Sequence, residues 1–303
     1  MKPTTKAYIA ITVQSLIIGL SFLMVKISLE HVGTMELLAH RFTIAALGVL
    51  CYKAIRPGSV RLTARDWLKI APFSLAYPIG FFLFQTIGLQ SISSSEAGVI
   101  SAITPILTVF IAYAILKESI GTKQKLLMLL SVSGIVFIHW RNGVQLENYS
   151  YWGFFFILLS AFSFSLYTVL ARKLSAQYPV FSIVFVMSIL SCVVFNGISI
   201  VEHVRAGELL SYFAPFANGS FVLAIVYLGF LSSLVTSLLS TYALSKLEAT
   251  KVGLFSNFST VISIVAGTVF LHEPLYAYHL VGIVAVLIGA IGFNLSKVQK
   301  VRA

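Results

Sequence analysis

From Ile70 to Ser95 the chain carries no aspartate, glutamate, lysine or arginine, and the same holds from Ala97 to Leu116, Val252 to Leu271 and Pro274 to Ser296. A helix of about twenty apolar residues crosses the hydrocarbon core of a bilayer. Stretches of this length and neutrality therefore predict an all-α integral membrane protein. Composition agrees: 58% of residues are hydrophobic and 10% charged, where soluble domains carry about a quarter charged. A water-soluble fold built from these residues would expose apolar surface it could not cover. The alternating ten-residue strands of a membrane β-barrel are not seen.

Ten spans are expected, at roughly 7–29, 35–54, 68–91, 95–116, 122–140, 150–172, 179–202, 219–245, 249–271 and 275–296. The second and fifth are the weakest, the second holding His40 and Arg41, the fifth starting beside Lys123 and Lys125 and ending at His139. Lysine and arginine favour the cytoplasmic ends of spans. With the N-terminus inside, 17 of the 21 basic residues fall on inner segments, leaving Lys26, Arg41, Arg141 and Arg205. The expected location is the cytoplasmic (cell) membrane, multi-pass, with both termini cytoplasmic. The formal charge of +11, which in a soluble protein would suggest nucleic acid, is read here as a topology signal, with no nucleic-acid partner. The apolar run Ala7–Val25 exceeds a signal-peptide core, and no small-x-small cleavage pattern follows it. Cys51 and Cys192 read as small buried hydrophobes rather than a disulfide or metal pair.

The two halves repeat. A shift of 155 lays Leu89-Gln90 on Leu244-Ser245, Gly98 on Gly253, Leu116-Lys117-Glu118 on Leu271-His272-Glu273 and Gly134 on Gly289. Near the N-terminus a shift of 146 sets Gly19-x-x-Phe22-x-x-x-Lys26 over Ser165-x-x-Thr168-x-x-x-Arg172, a weaker match. Five helices per repeat is an odd number, so two such repeats, 7–140 and 150–296, enter the membrane from opposite sides. The fold expectation is ten transmembrane helices as two inverted five-helix repeats, a common construction of secondary transporters.

On these residues the chain resembles the drug/metabolite transporter superfamily, EamA-type. The likeness is carried by Gly19-x-x-Phe22-x-x-x-Lys26, Arg41, Ala97-Gly98 through Thr104-Pro105-Ile106, Leu116-Lys117-Glu118, Gly134, Leu271-His272-Glu273-Pro274 and Gly289. It departs at Ile18, where such proteins often have tryptophan, and at Thr260, which stands opposite Pro105. The resemblance implies ten helices, a central cavity and, often, export of amino acids or related metabolites.

All ten acids lie at helix ends or in loops, which argues mildly against a carboxylate proton relay; His40, His139 and His279 stay open as coupling groups. Lys26 and Arg41 lie in the outer halves of their spans. One account has them snorkelling toward Glu30, Glu36 or Glu96. The other has them lining a path for a substrate carboxylate, which the planar fork of Arg41 could hold in two bonds.

The candidate substrate-binding residues are Gln14, Lys26, Arg41, Tyr77, Gln85, Thr104, Tyr167, Ser237 and Asn257. An amide in lipid needs partners or water, which singles out Gln14, Gln85 and Asn257. Ser101, Thr104 and Thr108 share a helix face, as do Ser233, Ser237 and Ser240. For such hydroxyls, back-bonding to helix carbonyls and helix packing compete with a ligand role. Pro78 and Pro105 free backbone carbonyls and would suit hinges. Aromatic side chains of the third and sixth spans would shape an apolar pocket. Glu118 and Glu273 are expected to cap or pair at equivalent helix ends. Gly282, Gly289 and Gly292 form a close-packing face that would also suit a homodimer.

The leading functional reading is a secondary transporter, an exporter of small metabolites such as amino acids working by alternating access, with the lipid bilayer and a small-molecule substrate as partners. A membrane-embedded enzyme lacks support: there is no histidine–acid metal cluster, nucleophile motif or pair of midplane acids. The inverted repeat disfavours a non-transporting receptor or scaffold. No Walker motif occurs, and no cofactor or metal is expected.

Overall fold

The computed structural model describes residues 2–92, 94–101, 103–119, 121–142, 150–270, 277–295 and 299–300. It is helical almost throughout. The helices are α1 Pro3–Leu29, α2 Thr34–Ile55, α3 Ala64–Ser74, α4 Phe81–Ser91, α5 Ser94–Ser101, α6 Thr104–Leu116, α7 Thr122–Asn142, α8 Tyr151–Leu174, α9 Val180–Ala206, α10 Gly219–Val226, α11 Thr236–Leu244, α12 Ala249–Phe270 and α13 Ala277–Leu295. Among the described residues, six runs are long and apolar enough to cross a membrane by length and composition: Pro3–Leu29, Thr34–Ile55, Ala64–Ser91, Tyr151–Leu174, Val180–Ala206 and Gly219–Leu244. Thr104–Leu116 is a shorter apolar helix.

Where the helices begin and stop follows local chemistry. The third span starts at Ala64 rather than near residue 68, because Thr63 and Asp66 form a reciprocal capping box, Asp66 Oδ2 accepting the Thr63 N–H at 2.9 Å. Left-handed backbone ends α6 at Lys117 and α9 at Gly207. Asn218 starts α10 by accepting the Ser220 N–H at 2.9 Å.

Three expected spans are interrupted. Between α3 and α4 the chain kinks over Leu75–Gly80, where Tyr77 is extended (φ −149, ψ 128) before Pro78. Between α10 and α11 the second interruption is a π-helical segment, Tyr227–Val235. The fourth span is divided into α5 and α6, with Pro105 in the first turn of α6, where its missing N–H costs no helix bond.

Side-chain contacts fix the helix directions. Glu36 faces His203, Thr43 bonds Asn196 and Tyr52 packs on Phe181, so α2 and α9 run antiparallel. Tyr8 packs on Phe255 and Gly19 on Ser259 and Ile262, so α1 and α12 run parallel. α7 and α13 are antiparallel and nearly touch: a methyl on Gly134 would lie 2.7 Å from the Gly282 carbonyl oxygen, and one on Gly289 2.5 Å from that of Leu127. Glycine is required there by the approach of backbones. The glycine face of the last helix, expected to suit a second copy, is thus occupied within the chain by α7. A two-residue strand, Glu118–Ser119, pairs antiparallel with Gln299–Lys300 and ties the turn after α6 to the segment after α13. The Leu271–Pro274 element lies outside the described residues, as do the side chains of Glu96, Glu118, His139, Ser256 and His279.

Candidate functional site

A cavity with about 40 Å³ of internal space lies between α1, α4, α5, α6, α8 and α12. Its walls are largely apolar: Ile11, Ile18 and Phe22 from α1, Phe81 from α4, Ala161 and Phe164 from α8, and Val252 and Phe255 from α12. Gln14, Ser15, Gln85, Ser101, Thr104 and Ser259 supply the polar groups. None of the described lining residues carries a formal charge. The lining suits a small amphipathic ligand held by a few directed hydrogen bonds against apolar walls.

Several of these hydroxyls are spent on backbone. Ser15 donates to the carbonyls of Ile11 (2.9 Å) and Phe255 (3.1 Å), Ser101 to that of Ala97 (2.7 Å), and Thr104 to that of Ser101. Gln14 differs. Its side chain is buried, and among the described residues no donor reaches its Oε1. A buried acceptor without a partner costs roughly 1–3 kcal/mol, which a ligand donor at this point would recover. Gln85, equally buried on α4, also lines the cavity.

Behind the cavity sits a second polar cluster, reached through shared aromatics. Phe81 and Phe164 line the cavity and also pack on Tyr77, at centroid distances of 5.5 and 6.1 Å. Tyr77 stacks on Tyr167 with centroids 4.2 Å apart and planes 23° apart. The Tyr77 hydroxyl lies 3.2 Å from Ser237 Oγ, and that of Tyr167 lies 2.9 Å from Thr241 Oγ1. The extended backbone at Tyr77 is what turns its ring out of the helix line and into this layer.

Next to it Arg41 is fully buried. Its Nε donates to Ser233 Oγ at 2.7 Å and its Nη2 to Ser232 Oγ at 2.8 Å. The guanidinium lies 3.9 Å over the Phe82 ring. Among the described residues no acid pairs with it, and no acceptor reaches Nη1. The serines belong to the π-helical segment Tyr227–Val235, so Arg41 fastens α2 to the irregular part of the eighth span.

The nine residues singled out from sequence therefore divide. Gln14, Gln85 and Thr104 meet in the cavity; Arg41, Tyr77, Tyr167 and Ser237 form the cluster behind it. Asn257 stands apart, its Nδ2 donating to Ser131 Oγ on α7 at 2.7 Å. Lys26, half-buried in the last turn of α1, lines neither group. Ser232, Thr241 and Phe82 were not singled out. Ser232 adjoins Ser233 in sequence, but no spacing rule indicates that both would face one arginine.

Comparison with known proteins adds the family. The model described as "EamA-like transporter family" matches residues 5–140 and again 151–295. The chain is 46% identical over 300 residues to "Uncharacterized transporter YcxC" of Bacillus subtilis (strain 168), covering 98% of this chain and 96% of that one. It is 24% identical to "Uncharacterized transporter YetK" of the same organism, covering 95% of this chain and 87% of that one. An "Uncharacterized transporter" of Archaeoglobus fulgidus is 23% identical, covering 89% of this chain and 92% of that one. A solved crystal structure superposes with a TM-score of 0.72 over 94% of this chain and 95% of that one at 18% identity, a likeness of fold.

Proposed function

Because the chain belongs to the EamA-like transporter family, we propose that it is a secondary transporter that exports small amphipathic metabolites, amino acids or close relatives, across the cytoplasmic membrane by alternating access. The observation that carries this reading is the neutral cavity among six helices. Gln14 and Gln85 offer amide donors and acceptors, and Phe81, Phe164 and Phe255 offer apolar walls. A zwitterion or polar metabolite can exchange its water for such groups without burying an unpaired protein charge.

Further observations support two inverted repeats at 7–140 and 150–296 spanning ten times. The two family matches divide the chain at the same place. The positions of the helix interruptions agree as well: the kink at Leu75–Gly80, shifted by 155, falls on 230–235, inside the π-helical Tyr227–Val235. Helix directions fit alternate crossings, since α2 opposes α9 and α1 parallels α12. The charge pattern supports cytoplasmic termini.

Reconstitution tests the reading. Vesicles containing the protein are offered a mixed metabolite pool, and their lumen is analysed by mass spectrometry. Accumulation of one chemical class above protein-free vesicles is expected. Turnover of a lipid or metabolite without movement would favour a membrane enzyme and end the transporter reading.

A further inference from the structure

At the end of the bundle opposite the N-terminus, one carboxylate lies between two imidazoles from different helices. Glu36 Oε2 is 3.4 Å from His203 Nε2, and Glu36 Oε1 is 3.6 Å from His40 Nε2. His203 Nδ1 lies 2.9 Å from the Ser199 carbonyl oxygen. A carbonyl only accepts, so Nδ1 carries a hydrogen. In neutral His203 the Nε2 lone pair then points at a carboxylate oxygen, and two lone pairs meet unless a proton sits between them. His40 is fixed similarly: its Nε2 donates to the Tyr212 carbonyl at 3.0 Å.

We propose that Glu36 and His203 hold one exchangeable proton between Oε2 and Nε2, and that this proton is the coupling ion of the transport cycle. The second part rests on the transporter reading above. A Glu36 carboxylate and a neutral His203 take up one proton from outer water, and the pair passes from one negative charge to none. Water reaches it through an open depression of about 470 Å³ lined by Thr34, Glu36, Gln90, Glu202, His203 and Glu208.

Among the described residues, the titratable groups around the pair are His40 of α2, Glu202 of α9, and Glu208 and Tyr212 of the segment after α9. α4 contributes Gln90 and Ile87, and α10 contributes Phe221, which packs on His40. The Tyr212 phenol is pushed up to about 12 by burial, then by Glu36 and Cys192, so it stays protonated and donates to Asn196 Oδ1 at 2.8 Å.

The proton state can reach the transport core by contact. With the proton in place, α2 and α9 are clasped at this end, and His40 holds the segment Leu209–Ala217 over them. Without it, the facing lone pairs push the helix ends apart. Arg41 follows His40 on α2 and grips Ser232 and Ser233, so movement of α2 is passed to the π-helical segment.

The test uses the full chain in bilayers of phosphatidylethanolamine and phosphatidylglycerol. In ¹⁵N-histidine NMR, the His203 signal is identified by its loss in His203→Gln. Its titration midpoint is expected to differ between the native chain and Glu36→Gln, because the geometry puts the Glu36 carboxylate against His203 Nε2. An unmoved midpoint overturns the shared proton whatever the transport result. In parallel, vesicles containing pyranine receive a mixture of the proteinogenic amino acids, and lumenal pH and amino-acid content are followed together. Protons are expected to move with amino acids in the native protein. In Glu36→Gln the proton-to-substrate ratio is expected to fall to the leak of protein-free vesicles. Amino-acid movement without a pH change in the native protein overturns the coupling. If no amino acid moves, the substrate reading under Proposed function fails, while the midpoint still decides the proton pair.

Discussion

Tyr77 and Tyr167 lie face to face, 4.2 Å between ring centroids, and both phenols reach the same short helix, at Ser237 and Thr241. One ring comes from a break in the third span and the other from the sixth, so the stack joins the two family-matched segments behind the cavity. Removing one hydroxyl leaves the stack intact, whereas removing a ring leaves a void. Tyr167→Phe is expected to cost about 1 kcal/mol, and Tyr167→Ala about 3–5 kcal/mol, read as thermal unfolding in detergent micelles. Equal losses would mean that the hydroxyl bond, not the stack, holds this layer.

Arg41 separates charge from geometry. A lysine keeps the charge but loses the fork that reaches Ser232 and Ser233 together. A methionine loses both, along with the cost of burying an unpaired cation. Arg41→Met is therefore expected to unfold at a temperature no lower than Arg41→Lys, with transport lost in both. The reverse order would reveal a counter-charge for the guanidinium.

The cavity amides make opposite demands on stability and uptake. Gln14→Leu removes a buried acceptor that has no described donor and is expected to raise stability by about 1 kcal/mol. It is also expected to raise the transport KM about tenfold, equivalent to one lost hydrogen bond of about 1.4 kcal/mol. Paired unfolding and uptake measurements read both. An unchanged KM for Gln14→Leu and Gln85→Leu alike would remove the cavity as the substrate site.

Two glycines bracket what the packing tolerates. A methyl at Gly289 meets backbone and Ser131 atoms at 2.5 to 2.7 Å, while one at Gly33 meets nothing within 4 Å. Gly289→Ala is expected to cost about 1–3 kcal/mol, and Gly33→Ala to fall within about 0.5 kcal/mol of the parent. Thermal unfolding compares them directly.

The proposed crossing pattern can be read with an impermeant thiol reagent on cells, in a chain lacking Cys51 and Cys192. His31→Cys and Glu208→Cys are expected to label from outside, and Arg61→Cys and Gln177→Cys only after the membrane is opened. Labelling of all four from one side would end the alternating assignment.

Hydropathy and charge made the long helices legible, because a run such as Ile70–Ser95 leaves the chain no solvent but lipid. They could not reveal the breaks. Pro78 disfavours helical backbone at Tyr77 and so marked the first break as a hinge, but no residue pattern in Tyr227–Val235 marks its widening to a π-helix, where Ser232 and Ser233 meet Arg41. Depth in the membrane was similarly easier to read than azimuth. The polar residues of α12, among them Thr250, Asn257, Ser259 and Ser263, gather on no single face, so Asn257 announced a polar need without its direction, and the structure turns it to Ser131 rather than to the cavity. Gln14 and Gln85 carried the same signal and do face the cavity. The Glu36–His203 contact joins residues far apart in sequence; the local pair is Glu36 with His40, one helical turn on, and nothing in the pattern reaches across to α9.

Where α7 meets α13, backbone rests on backbone at Gly134 and Gly289, with no side chain between to change rotamer. A seam of that kind can roll or slip but has nothing to absorb widening, so under the alternating access proposed above it would be the fulcrum for a swing of one half against the other. A bulky residue there would act like a wedge in a hinge, stalling the outward and inward strokes together while leaving every group in the cavity untouched.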